Sequence, residues 1–184
     1  PRANAYLGSS IVETAFEKFQ PDGLLMCHEV PDEPLVRAAH LAAAAQKLIV
    51  FNAAPAGPVP GELMRLVDVV IVNESEAAVL TGIAQDGVAE AQAAATALRA
   101  LGASAAVVTL GEIGSVFESA SNAGYVNSFP TIAVDTTGAG DAFCAALVVG
   151  LCSGLELADA VKLGNAAGSL TVRTMGVTPA LPRR

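Results

Sequence analysis

The clearest chemical signal in the chain is Asp135-Thr136-Thr137-Gly138-Ala139-Gly140-Asp141, which leads directly into the apolar stretch AFCAALVVG. A glycine turn running into a helix leaves successive N–H groups unpaired at the helix start, where they form a hole for an anion. Glycine lets the backbone approach a ligand closely and adopt φ > 0. Asp141 falls in the first turn of that helix, where the helix dipole favours a carboxylate able to accept a proton. An anion hole beside a carboxylate base suits transfer of a phosphoryl group to a hydroxyl. A bare GxGD also reads as a helix cap after a tight turn. The full run DTTGAGDAF behind a β-type segment is far more specific.

Two further segments carry usable groups. Gly111-Glu112-Ile113-Gly114 follows the apolar run AAVVTL (105–110), but a GxxG alone also describes a hairpin turn. Asn73-Glu74-Ser75-Glu76 follows DVVIV (68–72). Asn73 and Glu76, three apart, face the same way on a helical turn. An amide and a carboxylate placed there can organise water around Mg²⁺, which usually keeps several waters. The same pattern also describes a helix cap with acids in its first turn. Neither the phosphate loop GxxxxGK[ST] nor the dinucleotide turn GxGxxG occurs.

The elements that must position these groups alternate between strand and helix. Strands are expected at 23–28, 47–52, 68–73, 105–110 and 131–135, with a hairpin formed by GSVFES and AGYVNSF. Helices are expected at 9–18, from Pro31-Asp32 through VRAAHLAAAAQ, and at 74–82, 88–102, 138–154 and 155–176. Ser9 or Ser10 is placed to cap the first, with Glu13 three residues after Ser10. Gly82 and Gly102 are placed as stop signals. Continuous apolar strands between helices imply an α/β fold with a mostly parallel sheet and helices on both faces. Right-handed crossovers then gather the strand C-termini on one edge, where ligands bind. Glu29, Asn52, Asn73, Glu76, Gly111, Gly114 and the 135–141 turn should all lie along it.

Composition narrows the function classes. With 53% hydrophobic and only 15% charged residues, the 184-residue chain is not a disordered one. A net charge of −8 and the lack of a basic patch argue against a nucleic-acid binder. No apolar run has the length of a membrane span. Cys27, Cys144 and Cys152 are odd in number and apolar in surroundings, which predicts buried reduced thiols rather than a disulfide framework.

Taken in order, LLMCHE, FNAAPA, NESEA, VTLGEIG and DTTGAGDAF make the chain resemble the ribokinase (phosphofructokinase-B type) family of carbohydrate kinases, from ANAYL to PALP. The resemblance implies ATP-dependent phosphorylation of a sugar hydroxyl, D-ribose foremost, with fructose, 2-keto-3-deoxygluconate or a nucleoside as other acceptors. It implies Asp141 as the base and Gly138, Ala139 and Gly140 as the hole for the transferred phosphate. Asn73 and Glu76 match the family's NxxE motif, linked to Mg²⁺ and phosphate. Thr109, Leu110, Gly111, Glu112, Ile113 and Gly114 would lie along ATP, Asn165 near the adenine, and Glu29 against the sugar. Asp135, Thr137, Val172, Met175 and Val177 match a loop pair that holds a monovalent cation (K⁺), mostly through carbonyls.

The family's N-terminal portion has no counterpart in this sequence. That portion holds a glycine-rich sugar-binding segment, the first strands of the large sheet, and a small sheet acting as lid and dimer interface. The expectation is therefore a partial ribokinase-like catalytic and nucleotide-binding domain across residues 1–184. It should show an unpaired strand edge and uncovered apolar surface, and be inactive alone. The parent would be a cytoplasmic homodimer joined through its lid, with a sugar and ATP as partners and neither nucleic acid nor membrane.

Overall fold

The computed structural model describes residues 3–182; Pro1 and Arg2 of the opening Pro1-Arg2-Ala3-Asn4 lie outside the described residues. One six-stranded sheet organises the chain, its strands adjacent in chain order. They are β1 (Gly23–Cys27), β2 (Leu48–Asn52), β3 (Val69–Asn73), β4 (Ala105–Thr109), β5 (Gly114–Glu118) and β6 (Ala123–Asn127). The first four run parallel, and β5 and β6 are antiparallel additions. The mostly parallel α/β sheet expected from the sequence is thus observed, as is the hairpin.

Burial on both faces explains why β2 to β4 read as continuous apolar runs. Ile49, Phe51, Val70, Val72, Ala106 and Val108 point into one core cluster. Val50, Val69, Ile71, Ala105 and Val107, which alternate with them, point into the other. The first cluster is closed by α2 (Asp32–Ala44), α3 (Gly61–Leu66), α4 (Glu74–Thr81) and α5 (Val88–Ala100). Consistently handed crossovers between successive neighbours put all of these on one side. The second cluster is closed by α6 (Ala139–Cys152) and α7 (Leu157–Thr171). Outside these lie α1 (Ser9–Phe19), a 3₁₀ turn at Ala3–Tyr6, and α8 (Val177–Ala180).

The structure departs from the sequence expectations in several places. Residues 131–135 are not a strand. Thr131 to Val134 are exposed, and the segment's backbone is held by Val134 and Asp135 N–H donating to Val172 O at 2.7 and 3.2 Å. Its β-branched residues have no neighbouring strand to pair with, so propensity alone does not form one. The first helix is capped by Gly8 without a side-chain bond, so Ser10 and Glu13 make no capping box. Instead Ser9 donates to Glu33, and Glu13 pairs with Arg37 at 2.6 Å, fastening α1 to α2. The short helices α3 and α8 were not anticipated. Of the three free cysteines only Cys144 is buried. Cys27 and Cys152 are exposed because β1 pairs with β2 alone among the described residues and the adjoining face of α6 is open. Leu25 on β1 and Val149 on α6 are correspondingly 41% and 49% exposed, the bare edge expected above.

Two of the eight glycines with positive φ adopt it for different reasons. Gly82, at φ 73, caps α4 in open space. Gly114, at φ 134, starts β5 where a Cβ would lie 2.2 Å from Val126 O. Gly82→Ala should cost about 1–2 kcal/mol, the ordinary left-handed penalty. Gly114→Ala should cost clearly more, at least about 3 kcal/mol, because strain and collision add. Urea denaturation of both variants checks the order; equal midpoints would contradict the close approach at Val126.

Candidate active site

The start of β1 lies under the end of α6, since a Cβ on Gly23 would sit 2.9 Å from Cys152 Sγ. Helix α6 therefore runs against β1, and its first turn lies at the edge where the parallel strands end. Gly138 caps it in left-handed backbone, φ 81, a conformation that glycine adopts freely. The Ala139 N–H turns back to Thr136 O at 3.2 Å, and Ala142 N–H takes Gly138 O at 2.9 Å. The N–H groups of Gly138, Gly140 and Asp141 have no protein acceptor among the described residues. Two amides of the expected Gly138–Gly140 set, those of Gly138 and Gly140, are free; Ala139 is engaged, and Asp141 is free in addition. Asp141 is exposed, with no side-chain partner among the described residues.

Beside this turn opens a cleft of about 790 Å³. One wall is Thr109 with the Gly111–Gly114 turn, and another is the stretch 128–131. Ala139 and Gly140 form its polar end, and Asn165, Gly168 and Val172 of the α7 region form its back. That volume suits a ligand of nucleotide size. The cleft therefore gathers Thr109, Gly111, Glu112, Ile113, Gly114, Ala139, Gly140, Asn165 and Val172 from the residues singled out in the sequence. Leu110 is buried in the core instead.

Asn73 ends β3 directly beside Thr109 of β4. It forms a capping box with Glu76: Asn73 Oδ1 accepts from Glu76 N at 2.9 Å, and Glu76 Oε2 accepts from Asn73 N at 2.8 Å. Ser75 Oγ also donates to Asn73 Oδ1, at 2.7 Å. These bonds leave the Asn73 NH₂ and Glu76 Oε1 unused. Desolvation raises the Glu76 carboxyl above its ordinary range, against the pull of its Asn73 bonds. Burial pushes the Cys144 thiol up to about 12, and the charges of Asp141 and Glu76 add to that push. The two carboxylates thus share one neighbourhood around a neutral thiol. Glu29 follows β1, exposed, and accepts from Asn4 Nδ2 at 3.2 Å.

A scan against protein-family models matches residues 11–184 to the pfkB family carbohydrate kinases. The chain belongs to the pfkB family. Ribokinase of Staphylococcus aureus is 35% identical over 155 residues, 84% of this chain and 51% of that protein. Ribokinase of Haemophilus influenzae is 31% identical over 183 residues, 99% of this chain and 60% of that one. The structure of Arabidopsis thaliana ribokinase complexed with ribose and ATP superposes with a TM-score of 0.88 at 26% identity, covering 98% of this chain and 59% of that chain. The chain thus spans half to three-fifths of the length of these pfkB relatives, and shares their ribokinase-like α/β fold.

The loop pair linked to a monovalent cation in the pfkB resemblance is in contact here. Asp135 Oδ1 accepts from Thr137 N and Oδ2 from Gly176 N, both at 2.9 Å. The Val172 carbonyl already accepts the N–H groups of Val134 and Asp135, which uses both its lone pairs. Val172 therefore does not fit a cation ligand in this arrangement, whereas each Asp135 oxygen keeps free capacity. Met175 is 74% exposed, and Val177 begins α8. The cleft residues that motif reading missed, Ser128 to Thr131 and Ser169, carry no signature of their own, whereas Phe143 closes the DTTGAGDAF run. The spacing Gly164-x-x-x-Gly168 was a usable signal, because a Cβ on Gly164 would sit 2.8 Å from the Phe143 ring.

The Gly176 and Thr137 amides hold the Asp135 carboxyl down to about 2, from its ordinary 3.8. A depressed folded-state value means the clasp between the two loops is intact above about pH 4 and is lost as pH falls through about 2. Carboxyl-carbon NMR should show Asp135 titrating near 2, with Gly176 amide exchange rising over the same window. A midpoint at or above 3.8 would contradict the clasp.

Proposed function

We propose that the protein this chain belongs to is an ATP-dependent sugar kinase that converts D-ribose to D-ribose 5-phosphate. The observation that carries the reading is the set of unpaired amides at the start of α6, beside a nucleotide-sized cleft that Gly140 lines, with the exposed Asp141 carboxylate in the same turn. Free amides at a helix N-terminus favour a phosphoryl group whose charge spreads during transfer. Asp141 takes the proton of the sugar's hydroxymethyl group, its oxygen bonds to the γ-phosphorus, and the bond to the departing ADP oxygen breaks. The Gly140 and Asp141 N–H groups donate to the transferring oxygens. The rest of ATP lies between the Gly111–Gly114 turn and α7, and Glu29 faces the acceptor. The similarity to proteins named ribokinase supports ribose as that acceptor.

The donor set left by the capping box, one carboxylate oxygen and one amide NH₂, suits Mg²⁺ held mainly by phosphate and water. Glu76 Oε1 would orient a metal-bound water, and the Asn73 NH₂ would hold a phosphate oxygen. When bound, Mg²⁺ neutralises phosphate charge. Asp135 and Thr137 would contribute to a K⁺ site. The same reading has the protein working in the cytoplasm as a homodimer. No described helix is long and apolar enough to cross a membrane.

In the full-length protein, Asp141→Asn should keep ATP affinity while turnover falls about 10²–10⁴-fold, the usual worth of a general base. Near-normal turnover in a coupled ADP-release assay would refute the assignment. A panel of ribose, fructose, 2-keto-3-deoxygluconate and adenosine should show highest kcat/KM for ribose. Because only Glu29 and the base Asp141 are assigned to the acceptor in these 184 residues, the chain alone should release ADP equally fast with and without ribose. Sugar-stimulated release would overturn that expectation.

A further inference from the structure

Three polar residues of the described chain are buried: Ser115, Asn165 and Thr171. Thr171 bonds within its own helix, to Ala167 O at 2.9 Å. The other two bond to each other across 50 residues, Ser115 Oγ donating to Asn165 Oδ1 at 2.7 Å. Asn165 Nδ2 then donates to Val126 O at 3.1 Å and to Asn127 O at 3.2 Å. A primary amide has two N–H donors, and both are spent. Asn165 lines the cleft, yet it has no proton left for a ligand there.

What Asn165 grips is the end of β6, from which the 128–131 wall departs. The same backbone is held from the other side. Gly114 passes so close to Val126 O that a Cβ would collide with it. Ser128 N–H donates to Ile113 O at 3.2 Å, Ser128 Oγ donates to Glu112 O, and Tyr125 OH donates to Ile113 O at 2.5 Å. The Gly111–Gly114 turn and the 127–128 backbone are therefore one unit, and Asn165 is its link to α7. Ser115, fully buried on β5, fixes the direction of that link by occupying Asn165 Oδ1. A buried amide left without this partner loses a hydrogen bond and its unique orientation.

We infer that Ser115 and Asn165 are a positioning pair. They hold the walls of the cleft at the width its ligand needs, and Asn165 does so without donating to that ligand. The inference rests on the nucleotide reading of the cleft, and it adds a residue, Ser115, that cannot touch the ligand. The pair bonds the backbone that carries the 111–114 and 128–131 walls and makes no hydrogen bond to the first turn of α6. Its loss should therefore weaken the grip on the nucleoside part and spare the grip on the phosphates.

The test is titration calorimetry of the chain and of Ser115→Ala with ATP and with inorganic tripolyphosphate, each with excess Mg²⁺. Ser115→Ala should lower ATP affinity about three- to tenfold. Tripolyphosphate affinity should stay within about twofold, a split that general destabilisation does not produce. Ser128 amide exchange should quicken in the same variant. Unchanged ATP affinity in Ser115→Ala, beside a loss in Asn165→Ala, would show that Asn165 meets the nucleotide itself and overturn the pairing. Equal losses for both ligands would overturn it too. Failure of the unsubstituted chain to bind either ligand would instead remove the nucleotide reading, and the pair's role with it.

Discussion

A buried or half-buried N–H group needs an acceptor, and the first turn of a helix cannot supply one from within. At the start of α6 this constraint is met only in part. Thr136 O satisfies Ala139, while Gly138, Gly140 and Asp141 keep unpaired amides beside a cleft that Gly140 lines. The rest of the site is arranged around that turn. Its position follows from α6 running against β1, which brings the helix start to the edge where β1 to β4 end. Carboxylates from two elements, Asp141 on α6 and Glu76 on α4, come within electrostatic reach of one buried thiol there.

Close packing keeps the turn in place. Gly164 and Gly150 let α7 and α6 pack closely, Gly164 under the Phe143 ring and Gly150 against Leu155 and Ala160. Gly168 faces the Ala139 carbonyl, 3.5 Å from where a Cβ would stand. A close-packed helix pair moves as a unit, because interiors are dense and barely compressible. The back of the cleft and its anion-binding end are thus parts of one rigid body, and the second core cluster fastens that body to the sheet. The opposite wall reaches α7 through polar contacts, chief among them the Asn165 amide.

Most of the sheet was readable because β2, β3 and β4 are buried on both faces, which demands uninterrupted apolar residues. Gly82 as a helix stop and Gly138 as a left-handed entry to α6 were readable for a local reason: few other residues tolerate those angles. The segment 131–135 was misread because Thr, Ile and Val favour strands only where a partner and a buried face exist. Helix α3 was hidden behind a Pro/Gly loop and is only six residues long, too short for a periodic pattern. The 128–131 wall had no motif because it contributes shape rather than a reacting group.

The division between local and non-local information is sharpest within the site. DTTGAGD, NESE and LGEIG could be recognised as turns bearing amides and carboxylates because their chemistry is contained in a few consecutive residues. Which of those groups remain free depends on partners far away in the chain. Val172 O is occupied by Val134 and Asp135, and Asn165 is saturated by Ser115, Val126 and Asn127. Hydrogen-bond capacity is finite, and folding distributes it among groups brought together from distant positions. Residue types and spacing therefore state what the chain can offer a phosphate, and the packed structure decides which atoms are left to do so.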